Sequence, residues 1–356
     1  MTSSCIHGRK KRLATVACAA LLASSALAAQ EFAPEHHDGA RQLVNELVDE
    51  GIERAWLENA MQQANYRQEV LDAMSGAAER RLRWDEYRAI FLDDERIEAG
   101  VAFIEVHSEA FARAEAEYGV PEEIIAAILG VETRYGRITG KHRVLDSLST
   151  LAFHHPRRGD FFRGELAAFL EIAYQQRVAP QEPQGSYAGA MGYPQFIPTS
   201  YRAYAVDFDD DGLRDLWSNP VDAIGSVANY FAEHGWQAGE PVLYAAEGPA
   251  QPPEGIDFNR AARRPAVSAG ALRQAGIEVP AALADERLLL PVALEGGEGN
   301  WRYMLGDVNF YVITRYNHSH LYAMAAMELA EAIAKARDLG AGWHQAVDVD
   351  DEEVRR

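Results

Sequence analysis

A glutamate at the end of an apolar helix is the first feature of the chain that could do chemistry. Residues between Pro121 and Gly136 are predicted to form this helix, because apolar side chains recur there at helical spacing. Glu132 follows the apolar stripe and should project from its core-facing side. A desolvated carboxyl group has a raised pKa and can act as a general acid near neutral pH. Arg134 or Arg137 leaves an equal alternative open, in which Glu132 forms a buried ion pair.

A second unusual stretch, residues 184–198, combines glycines, small residues and aromatic residues. Small residues let a ligand approach the backbone closely, and Tyr193, Gln195 and Phe196 offer ring faces and an amide. A tight loop packed beneath the core is the alternative, and composition alone favours it.

An acidic loop further along the chain has the spacing of a calcium site. Asp207, Asp209 and Asp211 occupy positions 1, 3 and 5, and a glycine follows at position 6, as in the front half of an EF-hand. Ser218 replaces the usual glutamate at position 12, and Asp222 could close the site later. The pattern predicts a structural calcium ion, with a solvated acidic turn as the alternative.

The first residues have the features of a secretory signal peptide. Residues 9–12 are basic, residues 13–27 are apolar, and a small-x-small motif ends at Ala28. Cleavage there predicts an exported, periplasmic protein. A lipoprotein anchored through Cys18 is the less favoured alternative, because Thr15 stands where a lipobox has an aliphatic residue.

Composition limits the stabilising forces and the partners. Cys5 and Cys18 both lie in the predicted signal, so the exported protein would have no disulfide and must rely on its core. The chain has 34 basic and 54 acidic residues, a net charge of −20. Removal of a basic signal makes that charge more negative still, which argues against nucleic acid and anionic lipid as partners.

The periodicity along the chain predicts a mainly α, α+β fold. Helical patterns dominate up to Trp236, short apolar runs with frequent proline and glycine follow, and a last helix comes after Ser319. The predicted organisation is a signal peptide at 1–28, an N-terminal helical region at 29–95, a helical core with the EF-hand-like loop at 96–238, a β-rich insertion at 239–310, a C-terminal helix at 311–340 and a charged tail at 341–356.

Several of these motifs in one order resemble the lytic murein transglycosylase B family. The resemblance rests on residues 130–136, 186–196, the Asp207 loop, 221–231 and 316–319. It is specific from Trp84 to Trp236 and again from Asn309 to Met327, and it covers the β-rich insertion mainly by position. The family implies a lysozyme-like helical core.

The resemblance also implies roles for individual residues. Glu132 falls on the family's single catalytic glutamate. The positions that match its glycan contacts are Tyr87, Ser186, Met191, Tyr193, Gln195, Phe196, Tyr230, Tyr316, Asn317 and Tyr322. The positions that match its calcium ligands are Asp207, Asp209, Asp211, the carbonyl of Leu213 and Asp222. The loop is one residue longer here, at Ser218 and Asn219, so the late ligand Asp222 is the least secure of these matches.

The implied activity is that of a carbon–oxygen lyase acting on peptidoglycan. Such an enzyme cleaves the bond between N-acetylmuramic acid (MurNAc) and N-acetylglucosamine (GlcNAc) and leaves a 1,6-anhydro-MurNAc end, with one glutamate acting as acid and then base. No cofactor is expected for catalysis, and peptidoglycan glycan strands are the expected partner. Cell-wall synthases are further candidate partners of an expected monomer. A hydrolytic muramidase and a non-catalytic peptidoglycan-binding protein are the two alternatives.

Overall fold

Helices account for most of the elements in the computed structural model, which describes residues 31–76 and 82–337. The helices are α1 Asp38–Asp49, α2 Arg54–Gln62, α3 Gln68–Gly76, α4 Trp84–Phe91, α5 Asp94–Val106, α6 Ser108–Tyr118, α7 Glu122–Thr133, α8 Val144–His154, α9 Gly159–Gln175, α10 Pro198–Tyr204, α11 Pro220–Glu233, α12 Ala269–Gln274, α13 Val308–Tyr316 and α14 His320–Ala336. The strands are β1 His142–Arg143, β2 Gln184–Gly185, β3 Leu243–Ala246, β4 Val267–Ser268, β5 Leu288–Glu295 and β6 Trp301–Gly306. The predicted signal peptide and the charged tail lie outside the described residues.

The described residues divide into two compact units. The first comprises residues 31–76, 140–191 and 196–202, and the second comprises residues 82–139, 192–195 and 203–337. Each unit is therefore assembled from segments that are distant in the chain.

In the first unit, α8 packs against α9 and α3, and α1 packs against α2 and α9. The buried carboxylate of Asp146, which is 1% exposed, joins two of its segments. It accepts hydrogen bonds from the Asn65 N–H at 3.0 Å and from the Arg67 guanidinium at 3.0 and 3.1 Å. Arg143 of β1 also pairs with it, at 3.4 Å. A buried charge with several donors is compensated, so it fixes the position of the 65–67 segment.

The second unit is organised around α7. Every residue from Ile124 to Gly130 is buried, as expected for a helix that is apolar on all sides. Helix α7 packs against α14, α5, α6 and α11. It begins after Pro121, which is its N-cap rather than its first helical residue, and it ends at Thr133 rather than at Gly136.

A four-stranded antiparallel sheet, in the order β3-β6-β5-β4, completes the second unit. Strand β3 pairs with β6 starting at Leu243 and Gly306, and β5 pairs with β6 ending at Glu295 and Trp301. The core beneath the sheet contains Tyr244, Ala269, Leu272, Ile277, Leu289, Ala293, Tyr303 and Leu305. These elements confirm the predicted mainly α, α+β fold class. Within the two described ranges, no helix has the length and apolar character needed to cross a membrane.

We expect Asp146→Ala to destabilise the protein by about 2 kcal/mol, because it leaves the half-buried Asn65 N–H without an acceptor and Arg67 without its counter-charge. Urea unfolding followed by circular dichroism measures this loss. The exposed Asp160 of the same unit is a matched control, and Asp160→Ala should cost less than about 1 kcal/mol. Equal losses in the two variants would contradict the role assigned to Asp146.

Candidate active site

Glu132 lies one residue before the end of α7, where the backbone leaves the helix abruptly. Arg134 and Tyr135 both adopt left-handed conformations, with φ of 49° and 59°. Their N–H groups donate to the carbonyls of Gly130 and Leu129, which closes the helix end. Gly136 continues the turn at φ 83°, and a Cβ there would lie 2.0 Å from the Tyr193 ring. Only glycine allows this close approach.

The carboxyl group of Glu132 has a single hydrogen-bond donor among the described residues. The Tyr322 hydroxyl donates to Oε1 at 2.7 Å, and Tyr322 itself is 1% exposed. Burial raises the pKa of Glu132 to about 7, and the hydrogen bond from Tyr322 opposes part of that increase. No other carboxylate within the described ranges perturbs this pKa. Glu132 can therefore hold a proton near neutral pH and release it there.

The two arginines that could have neutralised Glu132 are engaged elsewhere. Arg134 donates to Asp93 at 3.1 Å, and Arg137 pairs with Glu95 at 2.8 Å. Both acceptors lie at the start of α5. The ion-pair interpretation of Glu132 is therefore wrong, and the desolvated-acid interpretation matches the geometry.

A cluster of tyrosines lies next to Glu132. The Tyr316 ring stacks on that of Tyr322, with ring centres 6.3 Å apart and an angle of 8° between the planes. The hydroxyl of Tyr316 donates to the carbonyl of Pro194 at 2.6 Å. Tyr230 meets Tyr316 edge-on at 4.9 Å and donates its hydroxyl to the carbonyl of Arg315 at 2.7 Å. Burial and the nearby Glu132 raise the pKa values of Tyr316 and Tyr322 well above the ordinary value, so both hydroxyls remain donors.

Tyr87 both interacts electrostatically with Glu132 and lines a cavity in the second unit. Burial raises the pKa of Tyr87 to about 12, and the charge of Glu132 contributes to the increase. The same residue lines a cavity of about 520 Å³, a volume typical of small-molecule sites. The cavity is lined by Leu82, Arg83, Trp84, Tyr87, Asn259, Ala293, Glu295, Trp301, Ser319, His320 and Leu321. Its aromatic faces suit sugar rings, which stack their C–H faces on aromatic side chains.

Residues 192–195 belong to the second unit and pack close to the end of α7. The Thr133 hydroxyl donates to the carbonyl of Tyr193 at 2.9 Å, and the Tyr193 ring stacks on Phe103. Gln195, in a left-handed conformation, donates its amide to the carbonyls of Thr139 and Gly192. Two of the predicted contacts, Tyr193 and Gln195, thus lie on the segment whose Pro194 carbonyl binds Tyr316.

Three other predicted contacts belong to the first unit. The Ser186 hydroxyl oxygen accepts the N–H groups of Ala188 and Ala190, which closes a turn. Met191 is fully buried and donates its N–H to the carbonyl of Phe196 at 2.9 Å, and Phe196 is also buried. The hydrogen bonds within this loop match the alternative of a tight packed loop, and the glycan-contact roles of Ser186, Met191 and Phe196 remain predictions.

Asn317 is the C-cap residue that follows α13, and it is exposed. Its carbonyl accepts the N–H of Ser319 at 2.6 Å, and the Ser319 hydroxyl accepts the first-turn N–H of Tyr322 as the N-cap of α14. The glycan-contact role of Asn317 remains a prediction.

The acidic loop brings three of the predicted metal ligands together. Carboxylate oxygens of Asp207, Asp209 and Asp211 lie within 4.8 Å of one another, which is a fitting donor set for a hard cation. Asp222 is not part of this group. Its two oxygens accept the N–H groups of Phe208 and Asp215, each at 2.7 Å, and burial raises its pKa to about 6. Asp222 therefore ties the two ends of the loop together, and its role as a ligand remains a prediction, as does that of the Leu213 carbonyl.

Sequence reasoning missed several residues that shape the site. Thr133 and Pro194 act through a hydroxyl and a carbonyl, and Trp84 and Trp301 contribute walls of the cavity. A threonine or proline in a loop has no local signal for such contacts. The tryptophans were recognisable as large aromatic residues, but their common cavity depends on tertiary structure.

The chain matches the transglycosylase SLT domain family over residues 35–331. It is 42% identical over 313 residues to the membrane-bound lytic murein transglycosylase B of Escherichia coli, covering 85% of this chain and 84% of that one. The crystal structure of soluble lytic transglycosylase SltB1 from Pseudomonas aeruginosa is 48% identical, covers 85% of this chain and 100% of that chain, and has a TM-score of 0.78.

Two further structures are similar. Escherichia coli Slt35 in complex with calcium is 42% identical with a TM-score of 0.79, covering 87% of this chain and 96% of that chain. Pseudomonas aeruginosa SltB3 in complex with NAG-anhNAM-pentapeptide is 30% identical with a TM-score of 0.70, covering 83% and 78%.

These similarities define a peptidoglycan-cleaving class of lyase with a lysozyme-like core. Within that class, the chain belongs to the lytic murein transglycosylase B family. The family predicted from the sequence motifs is confirmed.

We expect Tyr322→Phe to shift the pH dependence of activity upward. Tyr322 stabilises the ionised carboxylate, so its loss raises the pKa of Glu132 above about 7 and moves the alkaline fall in activity to higher pH. A pH–rate profile on purified glycan strands measures the shift. Tyr316→Phe is the control, because that hydroxyl binds the carbonyl of Pro194 instead. An unmoved alkaline limb in Tyr322→Phe would disprove the assignment.

Proposed function

We propose that Glu132 carries out the lytic transglycosylase reaction alone, as acid and then as base. The observation that supports this proposal is the surroundings of the Glu132 carboxyl group: desolvation raises its pKa to about 7, and its hydrogen bond comes from the neutral Tyr322 hydroxyl at 2.7 Å. Among the described residues, no second carboxylate contributes to this pKa. An ordinary glycosidase uses two carboxyl groups, one to protonate the leaving oxygen and one to activate water or attack the sugar.

The proton on Glu132 goes to the glycosidic oxygen as the bond from C1 of MurNAc to GlcNAc breaks. Positive charge develops at C1, with or without assistance from the N-acetyl group. The 6-hydroxyl oxygen of the same MurNAc then bonds to C1, and its proton goes to the Glu132 carboxylate. The products are a GlcNAc end and a 1,6-anhydro-MurNAc end, and Glu132 regains its starting state.

Proximity makes the internal attack efficient. The 6-hydroxyl is already part of the sugar that reacts, so no water needs to be bound or activated. The neutral hydroxyls of Tyr316 and Tyr322, with Tyr87 on the cavity side, supply hydrogen bonds and surfaces without adding charge. A hydrolytic muramidase remains the alternative that product analysis excludes or establishes.

The proposal also covers the residues that would contact the glycan strand. We assign Tyr193, Gln195 and Tyr230 in the second unit, and Ser186, Met191 and Phe196 in the first, to glycan contact. The assignment follows from the family match and from the aromatic and amide groups these residues carry. The expected partner is the peptidoglycan strand, and the expected location is the periplasm after removal of residues 1–28.

A calcium ion would be held by Asp207, Asp209 and Asp211, with the Leu213 carbonyl and Asp222 as further proposed ligands. Bound there, the ion supplies structural cross-linking of the loop. Three carboxylates in close contact repel one another, and a divalent cation relieves this repulsion. The calcium complex of the similar Slt35 structure supports the choice of ion.

Glu132→Gln should reduce glycan cleavage by at least about 1,000-fold, because an amide can neither donate nor accept the proton. Mass spectrometry of the soluble products is the measurement, with wild type and variant compared on the same sacculi. Wild type should release anhydro-MurNAc ends. Reducing ends from wild type would establish a muramidase, and a fully active, folded Glu132→Gln would exclude Glu132 from the chemistry.

Chelation should lower the melting temperature by about 5 °C, since the folded state would lose a bound ligand. Differential scanning calorimetry with and without EDTA tests this, and added Ca²⁺ should restore the original value. Asp209→Asn should abolish the response to EDTA. Asp210→Asn, in the same loop but outside the carboxylate group, should retain it. A melting temperature indifferent to both reagents would rule out the site.

A further inference from the structure

A buried carboxylate on α14, remote in sequence from Glu132, binds two elements that form walls of the cavity. Glu328 is 8% exposed, and its two oxygens accept hydrogen bonds from different arginines. Arg88 of α4 donates its Nε to Oε2, and Arg302 of β6 donates its Nη1 to Oε1. Each carboxylate oxygen of Glu328 therefore binds one of the two elements, Oε2 binding α4 and Oε1 binding β6. A buried carboxylate without its partners would lower the stability of the fold, so Glu328, Arg88 and Arg302 form one ion-pair network.

Both arginines directly follow cavity residues in the chain. Arg88 follows Tyr87, and Arg302 follows Trp301, and both aromatic residues line the same cavity. Glu328 lies six residues after Tyr322 on α14, about 9 Å along the helix axis. Helix α14 therefore binds the Glu132 carboxyl through one side chain and the cavity walls through another.

We propose that Glu328 is a positioning residue that fixes α4 and β6 against α14, so that Tyr87 stays beside Glu132 and the cavity keeps the shape that receives the glycan. The inference builds on the proposed function, since it assigns the cavity to that substrate. Glu328 acts through Arg88 and Arg302 and makes no direct contact with the reacting atoms.

Helix α4 has other anchors, so its fold does not depend on Glu328. Trp84 is buried, and the Arg96 guanidinium donates to the carbonyl of Ile90 at 2.9 Å. In Glu328→Gln, two cations remain next to each other without an anion between them. Their repulsion moves α4 and β6 apart rather than unfolding them.

Such a movement has a signature in the titration of Glu132. The titratable groups that interact with Glu132 are Tyr87 from α4, Tyr316 from α13 and Tyr322 from α14. The nearest arginine in the chain, Arg134, is paired with Asp93. If α4 moves outward, water reaches the carboxyl group, and its pKa falls from about 7 toward the ordinary 4.5. The alkaline fall in activity then moves to lower pH.

The experiment compares Glu328→Gln, Arg88→Gln and Arg302→Gln with wild type. Glu328→Gln and Arg88→Gln should lower the alkaline limb by about 0.5 to 1 unit. Arg302→Gln should leave that limb nearly in place, because β6 does not carry Tyr87. Glycan binding, measured by calorimetry in a Glu132→Gln background, should weaken by about tenfold in all three. Asp285→Asn, which breaks an exposed ion pair with Arg273 on α12, is the matched control and should behave as wild type.

The double variant Arg88→Gln/Glu328→Gln tests whether Glu328 and Arg88 act through the same ion pair. Its limb should match that of Arg88→Gln alone, because the two arginines that repel each other in Glu328→Gln are no longer both present, whereas additive shifts would contradict the proposal. A folded Glu328→Gln with the wild-type limb and wild-type glycan affinity would reduce Glu328 to a stabilising residue and overturn it. If Glu328→Gln does not fold, the half-exposed Arg88→Gln carries the same test.

The two proposals fail separately. The Glu132 titration can be followed by carbon-13 NMR of labelled glutamate, and binding needs no turnover. Reducing ends from wild type would refute the transglycosylase mechanism and leave both measurements on Glu328 valid.

Discussion

The arrangement of the second unit depends on desolvating one carboxyl group without giving it a cation. Glu132 is held at the end of an apolar helix, and its hydrogen bond comes from a neutral hydroxyl. The rise in pKa from 4.5 to about 7 corresponds to roughly 3 kcal/mol that the ionised form costs the fold. Because the folded-state pKa is raised, the fold is most stable with respect to this group below pH 4.5, and that stability is lost as the pH rises through about 7, where the carboxylate ionises and imposes its cost. Packing of α7 on α14, α5, α6 and α11 must offset it.

The abrupt end of α7 makes this placement possible. Left-handed residues at Arg134 and Tyr135 turn the chain away at once, so Glu132 remains in the last helical turn while Arg134 is directed to Asp93. Gly136 then allows the Tyr193 ring to approach the turn. Non-glycine residues in the left-handed region are strained, and strain of this kind persists only where surrounding contacts fix it. At this turn the contacts are those of Arg134 with Asp93 and of Gly136 with the Tyr193 ring, and the first of them keeps Arg134 away from Glu132.

Helical periodicity in the sequence predicts part of this site, whereas the contacts between residues distant in the chain cannot be predicted from it. The 3.6-residue pattern was sufficient to place Glu132 on the buried side of a helix. It left the ion pair with Arg134 open, because the competing partner Asp93 lies 41 residues earlier. The helix end was misplaced at Gly136, since nothing in local sequence shows that Arg134 adopts a left-handed conformation. The role of Glu328 has no local signal in the sequence, because its partners are 240 and 26 residues away.

Glu132 must both donate and accept a proton, so its pKa has to lie near the working pH. Desolvation and the hydroxyl of Tyr322 together set that pKa. Desolvation alone favours the protonated state needed in the first step. The Tyr322 hydroxyl favours the carboxylate needed in the second, and its own raised pKa keeps it a donor in both. A cation in its place would have stabilised the carboxylate more strongly and lowered the pKa far below 7. The exclusion of Arg134 and Arg137 from the glutamate is therefore as necessary to the chemistry as the presence of Tyr322.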